Sequence, residues 1–476
     1  MNIRTALTLA TIACSLAHAT AVAANDCPVV RLSGPEGLAR AFGSGGMTFN
    51  ERHLLVGDFA ALSLCPGGDP LGCRAGAVFA FERRDGEWTA TQTIVPPDIG
   101  FNEAFGRGIV LDPRHPGRFL TLSNRFDGER MGLGHVYEFD DGLWQEVARF
   151  HPPDGQPISS FGFRSAHHGD TMLINQSARV HRYRDVAGAW QYQDTMRVPD
   201  FMVPSPSPNF GRGGMALDDE WAFIGAPRDE SLGGLHGSVV IYRRQPDGSL
   251  TFAQYLLPPI DAAGELPLGE RFGSDLGFDG RTLVVGASSA DRDFQTQGVA
   301  YVYELEGDRW TFRQELRSSD PGTIPGHLER FGGGISIEGD RLIVGYFDDN
   351  GPLRRAHLFR RGADGVWREA AVLTPGDAAP TPAFGFGYRS TMRGRWVVIV
   401  AMSEGTTGAA YVFDLDCILG RCEADLDADG TLTIFDFLAF QNAFQDADPI
   451  ADFDGDGDLT LFDFLAFQDA FDAGCE

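Results

Sequence analysis

The sequence predicts a mainly β fold built from repeats, followed by a short C-terminal segment of different composition. Three observations lead to this prediction. A Phe-Gly dipeptide marks seven copies of a repeat, with a mean spacing of 57 residues. Each copy precedes runs rich in β-branched and aromatic residues, separated by Gly and Asp turns, as is typical of short antiparallel strands. After Cys422 the chain becomes strongly acidic, and one Asp-rich pattern occurs there twice.

The repeat is clearest in residues 272–316, where four strands are predicted. These strands are residues 274–278, 283–287, 299–303 and 310–316. The Phe of each dipeptide is Phe42, Phe105, Phe161, Phe210, Phe272, Phe331 or Phe384. In most copies a Trp begins the fourth strand, at Trp88, Trp144, Trp190, Trp310 and Trp367. A long and regular period indicates a repeat architecture rather than a single irregular domain.

Residues 223–227 read Phe-Ile-Gly-Ala-Pro, and related sequences stand at the second strand of the other copies. Together with the seven Phe-Gly pairs, this resembles the FG-GAP repeat family, which builds the integrin α-chain headpiece and many bacterial surface proteins. The resemblance covers residues 27–417. It implies a seven-bladed β-propeller, with one four-stranded sheet per repeat around a channel.

The two ends of the repeat region predict how the ring closes. The seventh copy stops after its third strand, at residues 413–417, and lacks a fourth. Residues 27–34 precede the first Phe-Gly just as residues 92–97 precede the second. We therefore expect residues 29–32 to supply the missing strand, which would remove two open sheet edges.

Composition and motifs exclude several function classes. The net charge of −27 argues against binding to a nucleic-acid backbone. All 39 basic residues are Arg, so a Schiff-base lysine and the lysine of a P-loop are excluded. The sequence also contains no Gly-x-Ser-x-Gly and no His-Glu-x-x-His motif.

The N-terminus predicts export. Residues 1–23 have the form of a signal peptide, with Arg4, a mostly apolar stretch at residues 6–16, and the small-residue site Ala21-Val22-Ala23. No later stretch has about 18 uninterrupted apolar residues, so no transmembrane span is predicted. We expect a secreted or cell-surface protein with a propeller at residues 24–417 and a second domain at residues 418–476.

Six cysteines remain once Cys14 is removed with the signal peptide, and in an exported chain an even number favours disulfides. Fifteen pairings are possible in principle. Position favours Cys27–Cys417, because these residues flank the strands that close the ring. It also favours Cys65–Cys73, which bracket a loop of the first repeat, and Cys422–Cys475, which bracket the C-terminal segment.

The loops of the repeats offer no clear metal site. Integrin-type FG-GAP blades often carry an Asp-x-Asp-x-Asp-Gly calcium loop, and this sequence departs from that pattern. The corresponding loops at residues 228–231, 290–293 and 347–350 lack the full alternation of oxygen-bearing side chains, and two of them contain Arg. We expect their acidic residues to be solvated. Loops between second and third strands, of which residues 58–75 form the longest, are the expected ligand face.

Two smaller motifs in the third repeat do not predict a functional site. His167 and His168 are adjacent, so on a strand they would point to opposite sides, which does not suit a shared metal. We interpret them as surface or loop residues. Residues 175–177 match a glycosylation sequon but fall in a predicted strand.

The C-terminal segment predicts calcium binding. Residues 423–476 hold 15 Asp or Glu and no Arg. Two copies of one pattern, 27 residues apart, supply alternating carboxylates, a Gly at position six and an Asp at position twelve. Ca²⁺ binds such oxygen-rich loops. The predicted ligands to two Ca²⁺ ions are Asp425, Asp427, Asp429, Thr431 and Asp436 in the first loop, and Asp452, Asp454, Asp456, Asp458 and Asp463 in the second.

With Asp at position twelve and about two dozen residues per copy, residues 423–475 resemble a dockerin, a duplicated EF-hand-type module. The resemblance implies one helix after each loop, at residues 434–444 and 461–471, with Thr433 and Thr460 near their starts. It also implies docking to a cohesin. Apolar residues stand where dockerins carry polar recognition residues, so the cell envelope or the chain's own propeller is an equally open partner.

The expected function is recognition or adhesion without enzymatic activity, with the propeller binding an extracellular protein or carbohydrate and the tail anchoring or assembling the chain. One alternative is a hydrolase or lyase with its site at the channel mouth. Another is a structural cell-surface component. An enzyme should bring His, Asp and Glu together at one end of the channel, whereas a binder should present an aromatic or charged patch there.

Overall fold

The computed structural model describes most of the chain in segments. These are residues 27–35, 39–63, 73–96, 98, 103–124, 132–153, 161–202, 208–260, 264–292, 297–319, 330–346, 355–376, 379, 383–404, 407–419, 424–426, 432–445, 448–453 and 458–473. The predicted signal peptide lies outside them.

The described chain forms seven four-stranded antiparallel sheets, or blades, which confirms the mainly β seven-bladed propeller. Strand β1 (Val30–Leu32) comes first and belongs to blade 7. Blade 1 starts with β2 (Met47–Phe49) and β3 (His53–Asp58), continues through the short hairpin β4 (Leu62–Ser63) and β5 (Cys73–Arg74), and ends with β6 (Ala77–Arg84) and β7 (Glu87–Ile94). Blade 2 contains β8 (Ile109–Leu111), β9 (Arg118–Ser123), β10 (Leu133–Asp140) and β11 (Leu143–Phe150).

The remaining blades follow the same order. Blade 3 contains β12 (Ser165–His168), β13 (Thr171–Gln176), β14 (Arg179–Val186) and β15 (Ala189–Arg197). Blade 4 contains β16 (Met215–Leu217), β17 (Trp221–Ala226), β18 (Ser238–Arg244) and β19 (Leu250–Leu256). Blade 5 contains β20 (Phe272–Phe278), β21 (Thr282–Ala287), β22 (Val299–Glu306) and β23 (Arg309–Leu316). Blade 6 contains β24 (Phe331–Glu338), β25 (Arg341–Tyr346), β26 (Ala356–Arg361) and β27 (Trp367–Leu373). Blade 7 contains β28 (Ala383–Arg393), β29 (Trp396–Glu404), β30 (Ala409–Asp414) and then β1.

The Phe-Gly dipeptide joins neighbouring blades. Phe272 is fully buried and packs against Tyr301 and Tyr303 of its own blade. Gly273 has φ +86°, a conformation that glycine adopts at no steric cost. Its carbonyl oxygen accepts a hydrogen bond from Gly214 N of blade 4 at 3.2 Å. A backbone group can approach this closely only because the facing position, Gly225, has no side chain.

In blade 7 the structure corrects the position of the repeat from Phe384 to Phe386. Phe386 is buried and packs against Tyr411, as Phe272 packs against Tyr301. Gly387, with φ +90°, presents its carbonyl oxygen to Gly345 of blade 6. The sequence reads Phe-Gly-Phe-Gly here, and the second pair is in phase because an irregularity between Phe386 and Arg389 shifts the register of β28.

A substitution at this contact should destabilise the ring. A Cβ on Gly286 would overlap the carbonyl oxygen of Gly332 in the next blade, and neither group is a flexible side chain. We expect Gly286→Ala to lower the free energy of unfolding by about 1–3 kcal/mol, as overpacking does. Gly117→Ala is the control, because a Cβ there meets nothing closer than 3.8 Å. Urea unfolding followed by Trp fluorescence measures both variants, and equal midpoints would contradict the interlocking role.

Glutamine side chains connect the outer strands of several blades. Gln254 of blade 4 accepts a hydrogen bond from Trp310 N and donates one to Trp310 O, both at 2.9 Å. The pair Gln314–Trp367 repeats this arrangement between blades 5 and 6, and Gln92–Trp144 repeats it between blades 1 and 2. The side-chain amide of each glutamine thus forms hydrogen bonds with the backbone N–H and C=O of the repeated Trp in the next blade.

The ring closes as predicted. Strand β1 pairs antiparallel with β30, in the register Val30↔Val412 and Leu32↔Ala410. A disulfide joins Cys27 to Cys417, whose Cα atoms are 5.9 Å apart. The N-terminal segment therefore completes blade 7, and a covalent bond holds it across a sequence separation of 390 residues.

In the described part of the chain, three α-helices follow the propeller: α1 (Leu415–Leu419), α2 (Ile434–Gln445) and α3 (Leu461–Ala473). The last two confirm the predicted helical segments within two residues. Their shared core is built from Ala424, Phe440, Ala451 and Phe467, with the rings of Phe440 and Phe467 stacked at 4.4 Å. Among the described residues, no helix has the length and apolar character of a membrane span.

Candidate functional site

The predicted calcium ligands are divided between described and undescribed residues. Asp425, Asp436, Asp452, Asp458 and Asp463 belong to the described part of the chain. The other predicted ligands, Asp427, Asp429, Thr431, Asp454 and Asp456, lie outside it. In the described ranges no group of three or more His, Cys, Asp or Glu is placed to hold a metal. The two-ion calcium site therefore stays a prediction.

The two copies have the same local geometry at the start of each helix. Thr433 Oγ1 accepts a hydrogen bond from Phe435 N at 3.1 Å, and Asp436 Oδ2 accepts one from Thr433 N at 2.8 Å. Thr460 and Asp463 repeat this pattern at 3.1 and 2.6 Å. Each helix thus begins with a reciprocal capping arrangement, which supports its N-terminus.

The donor chemistry fits Ca²⁺. Asp436 and Asp463 are fully buried, although the segment of residues 423–476 contains no Arg, Lys or His that could neutralise them. A buried carboxylate is costly unless a cation or several hydrogen-bond donors compensate it. Ca²⁺ is a hard cation that binds carboxylate oxygens, and when bound it would add positive charge beside these buried carboxylates.

Each helix of this module also exposes an apolar pair at its start. The side chains of Ile434 and Phe435 are 63% and 64% exposed, and those of Leu461 and Phe462 are 69% and 66% exposed. These pairs occupy loop positions ten and eleven of the two copies. Exposed apolar surface of this kind is typical of interaction sites.

A second site lies in the propeller, where four arginines from the inner edges of different blades converge. Arg107 precedes β8, Arg164 precedes β12, Arg212 precedes β16, and Arg389 lies in β28. We call these four residues the arginine cluster. The first strands of neighbouring blades contact one another around much of the ring, so the starts of these strands lie close together on its inner side.

Aromatic rings connect part of the arginine cluster in a continuous series of contacts. The guanidinium carbon of Arg107 lies 4.7 Å from the ring centre of Phe59 and 4.6 Å from that of Phe163. The guanidinium carbon of Arg212 also lies over the ring of Phe163, at 4.8 Å from its centre. The series therefore runs through blades 1 to 4. Such cation–π contacts orient the planar guanidinium groups without neutralising them.

Arg164 of the cluster lies near a carboxylate, that of Asp275. Arg164 Nη1 of blade 3 lies 4.0 Å from Asp275 Oδ1 of blade 5, although blade 4 stands between them in the ring. These side chains therefore meet across the channel. The other oxygen of Asp275 accepts a hydrogen bond from Ile335 N at 3.2 Å. Their side chains are only 16% and 15% exposed.

Burial and mutual repulsion both act on these cations. Burial, together with the positive charge of Arg164, lowers the pKa of Arg389 to about 10. Burial likewise lowers the pKa of Arg107, and Arg212 and Arg164 contribute in the same direction. The channel mouth is thus a local concentration of positive charge in a protein whose net charge is −27.

One acidic loop residue, Asp229, is buried rather than solvated as expected, whereas Asp291 is exposed. Asp229 is inaccessible to solvent, and it accepts hydrogen bonds from Ser238 Oγ at 2.6 Å and from Ser231 N at 3.0 Å. Arg292 pairs with Glu270 at 2.8 Å and with Glu315 at 2.9 Å. The expectation of solvated acids was wrong for Asp229, because the carboxylate satisfies the donors of its own loop. Residues 293–296 and 347–350 lie outside the described residues.

The two histidines of blade 3 are on strand β12, not on a loop, and both are half-buried. His167 packs against Trp190, and burial lowers its pKa to about 4. His168 lies 3.4 Å from Asp219. Asn175 is fully buried in β13, which agrees with the prediction that the sequon falls in a strand.

Of the predicted disulfides, Cys27–Cys417 is confirmed. The side chain of Cys73 and residues Cys65, Cys422 and Cys475 lie outside the described part of the chain, so their two pairings stay predictions.

Comparisons with known proteins add a distant likeness in fold. No family model matches the chain, and no curated protein matches it. Among solved structures, the chain is similar to a candidate 6-phosphogluconolactonase from Bacteroides uniformis, with 13% identity and a TM-score of 0.42 over 70% of this chain and 85% of that one. A second candidate 6-phosphogluconolactonase, from Bacteroides fragilis, has 10% identity and a TM-score of 0.44 over 76% and 94%. These likenesses are too distant to bear on activity.

The arginine cluster was not predicted from the sequence. A local signal exists, since Arg107 and Arg212 directly follow the Phe-Gly pair of their repeats, and Arg164 and Arg389 stand one residue further on. Each occurrence is unremarkable by itself. Only the ring brings the four together.

Proposed function

We propose that this protein is an exported recognition protein without enzymatic activity. An FG-GAP-like propeller binds an extracellular protein or carbohydrate. A dockerin-like module with two EF-hand-type loops holds two Ca²⁺ ions and anchors or assembles the chain, through a cohesin-like partner or the cell envelope. The predicted signal peptide supports export, and so does the Cys27–Cys417 disulfide, since such bonds persist in oxidising compartments.

One observation carries the proposal of a binding role: the described residues at the channel mouth form a charged and aromatic patch. Arginine and aromatic side chains are enriched where proteins bind partners. A hydrolase or lyase site would instead pair a general acid with a general base. The exposed apolar pairs of the C-terminal module support the attachment role.

The test is a glycan and protein array probed with the calcium-loaded full chain. We expect saturable binding to at least one class of extracellular polymer, with the bound polymer recovered intact. Mass spectrometry of the recovered ligand detects turnover, and a cleaved product would replace the binding role with an enzymatic one. Calcium-dependent self-association without any array signal, measured by light scattering, would favour a structural component instead.

A further inference from the structure

We propose that the arginine cluster binds an oxyanion group of an acidic sugar, namely a carboxylate or a sulfate ester that enters the channel mouth. This inference rests on the recognition role proposed above and names the chemistry of its ligand. It depends on charge, on the orientation of the guanidinium groups and on the shape of the site.

Charge gives the first step. Four guanidinium groups, those of Arg107, Arg164, Arg212 and Arg389, lie close enough to influence one another, and Asp275 is the carboxylate that the described residues place among them. One oxygen of Asp275 is already engaged by Ile335 N. The positive charge therefore exceeds the negative charge by three at this place. An incoming anion would relieve this repulsion in a site where few water molecules can screen it.

Orientation gives the second step. The guanidinium group of Arg107 lies over the rings of Phe59 and Phe163, and that of Arg212 lies over the ring of Phe163. The N–H groups at the edges of a guanidinium lie in its plane, so stacking leaves them available. A planar fork held in this way matches carboxylate and sulfate oxygens with two parallel hydrogen bonds.

Unused donors give the third step. The Nε atoms of Arg164 and Arg389 are buried and make no hydrogen bond within the described part of the chain. A buried N–H without an acceptor is costly. An oxyanion between these two arginines would supply acceptors to both sides of the channel at once.

Shape selects how a ligand can enter. The cluster lies where the inner ends of several blades meet, and the Arg164 and Asp275 side chains are more than four-fifths covered. A small charged group, such as one on a terminal sugar, would reach side chains covered to this extent more readily than an extended peptide would. A free inorganic anion has the same chemistry as a sugar-borne group, so the experiment includes both.

Isothermal titration of the calcium-loaded full chain with sodium sulfate, sodium glucuronate and neutral glucose tests the proposal. We expect saturable binding of sulfate, glucuronate or both, and none of glucose. Binding of sulfate alone points to a sulfate group or the free ion, and binding of glucuronate alone points to a uronate sugar. Equal binding of glucose and glucuronate, or no saturable binding of either anion, overturns the proposal.

The variant Arg107→Gln/Arg212→Gln separates a specific site from general salt effects. It removes two charged donors, and we expect about 100-fold weaker anion binding. The control is Arg368→Gln, at an exposed arginine on β27 that pairs only locally with Asp364. It should bind as the wild type does. Equal affinities in the double variant and the wild type would overturn the proposal.

Thermal unfolding of the same variants distinguishes binding from a structural role. If the arginines are held for a ligand, removing two like charges should leave the anion-free melting temperature unchanged or raise it. If they stabilise the ring, the melting temperature should fall without any anion present, and that fall would overturn the binding role. Array binding that survives in the double variant would leave the recognition function standing while this site fails.

Discussion

Removal of calcium from the full chain should unfold the two C-terminal helices while the propeller keeps its structure. The helices α2 and α3 have 12 and 13 residues, and helices of this length are marginal in water without tertiary support. Their support is a small core around Phe440 and Phe467, flanked by loops in which carboxylates repel one another. Without the cation this repulsion opposes folding, so metal binding and folding are coupled.

Two spectroscopic signals separate the module from the propeller. Circular dichroism at 222 nm reports the helices, and α2 and α3 contain 25 of the 30 residues in the described α-helices. All seven Trp residues precede residue 418, so Trp fluorescence reports the propeller. Excess EDTA should remove most of the helical signal and leave the Trp emission unchanged. An unchanged 222 nm signal would contradict the calcium prediction.

Single substitutions assign the two ions. We expect Asp436→Asn to remove one Ca²⁺ from the binding stoichiometry and Asp463→Asn to remove the other, since each takes a carboxylate from position twelve of one loop. Asp469→Asn is the control, because it makes the same change at an exposed position of α3 outside the motif. Calorimetric titration of the full chain with CaCl₂ measures the stoichiometry. A value of two in both position-twelve variants would show that these residues are not ligands.

Loss of the closing disulfide should open blade 7. Strand β1 has only three residues, and its pairing with β30 joins the two ends of the ring. Chain-entropy arguments give large values for a crosslink that closes so long a loop, and measured losses of native disulfides are about 2–5 kcal/mol. We expect Cys27→Ser/Cys417→Ser to lower the free energy of unfolding of the propeller by this amount.

Limited proteolysis and urea unfolding measure this effect. In the double variant, cleavage near residues 27–35 should become much faster, because β1 is released from its pairing with β30 and a protease can then reach it. The control is Cys65→Ser/Cys73→Ser, which removes a predicted bond within one loop of blade 1 and should leave cleavage at the N-terminal segment unchanged. Equal cleavage rates in wild type and the Cys27/Cys417 variant would show that strand pairing alone closes the ring.

Local and periodic features made much of this structure predictable. Hydrophobic and aromatic runs identify strands because each blade buries its inner strands on both sides, as in β21. The missing fourth strand of the last repeat identified the closing strand, and Cys27 and Cys417 followed from it. The helices α2 and α3 were predictable from the duplication and from capping residues such as Thr433. The choice of Phe384 over Phe386 failed because both Phe-Gly pairs fit the period, and only the contact with Gly345 separates them.

By itself, then, the sequence determined the number of blades, the strands within them, the closure of the ring and the position of the C-terminal helices. These depend on short-range periodicity and on the two chain ends, which are visible in one dimension. The tertiary structure alone decided that Arg107, Arg164, Arg212 and Arg389 share one site and that Asp275 reaches Arg164 across the channel. Residues from separate blades are far apart along the chain, and they meet only because the sheets are arranged in a circle whose inner edges face a common axis.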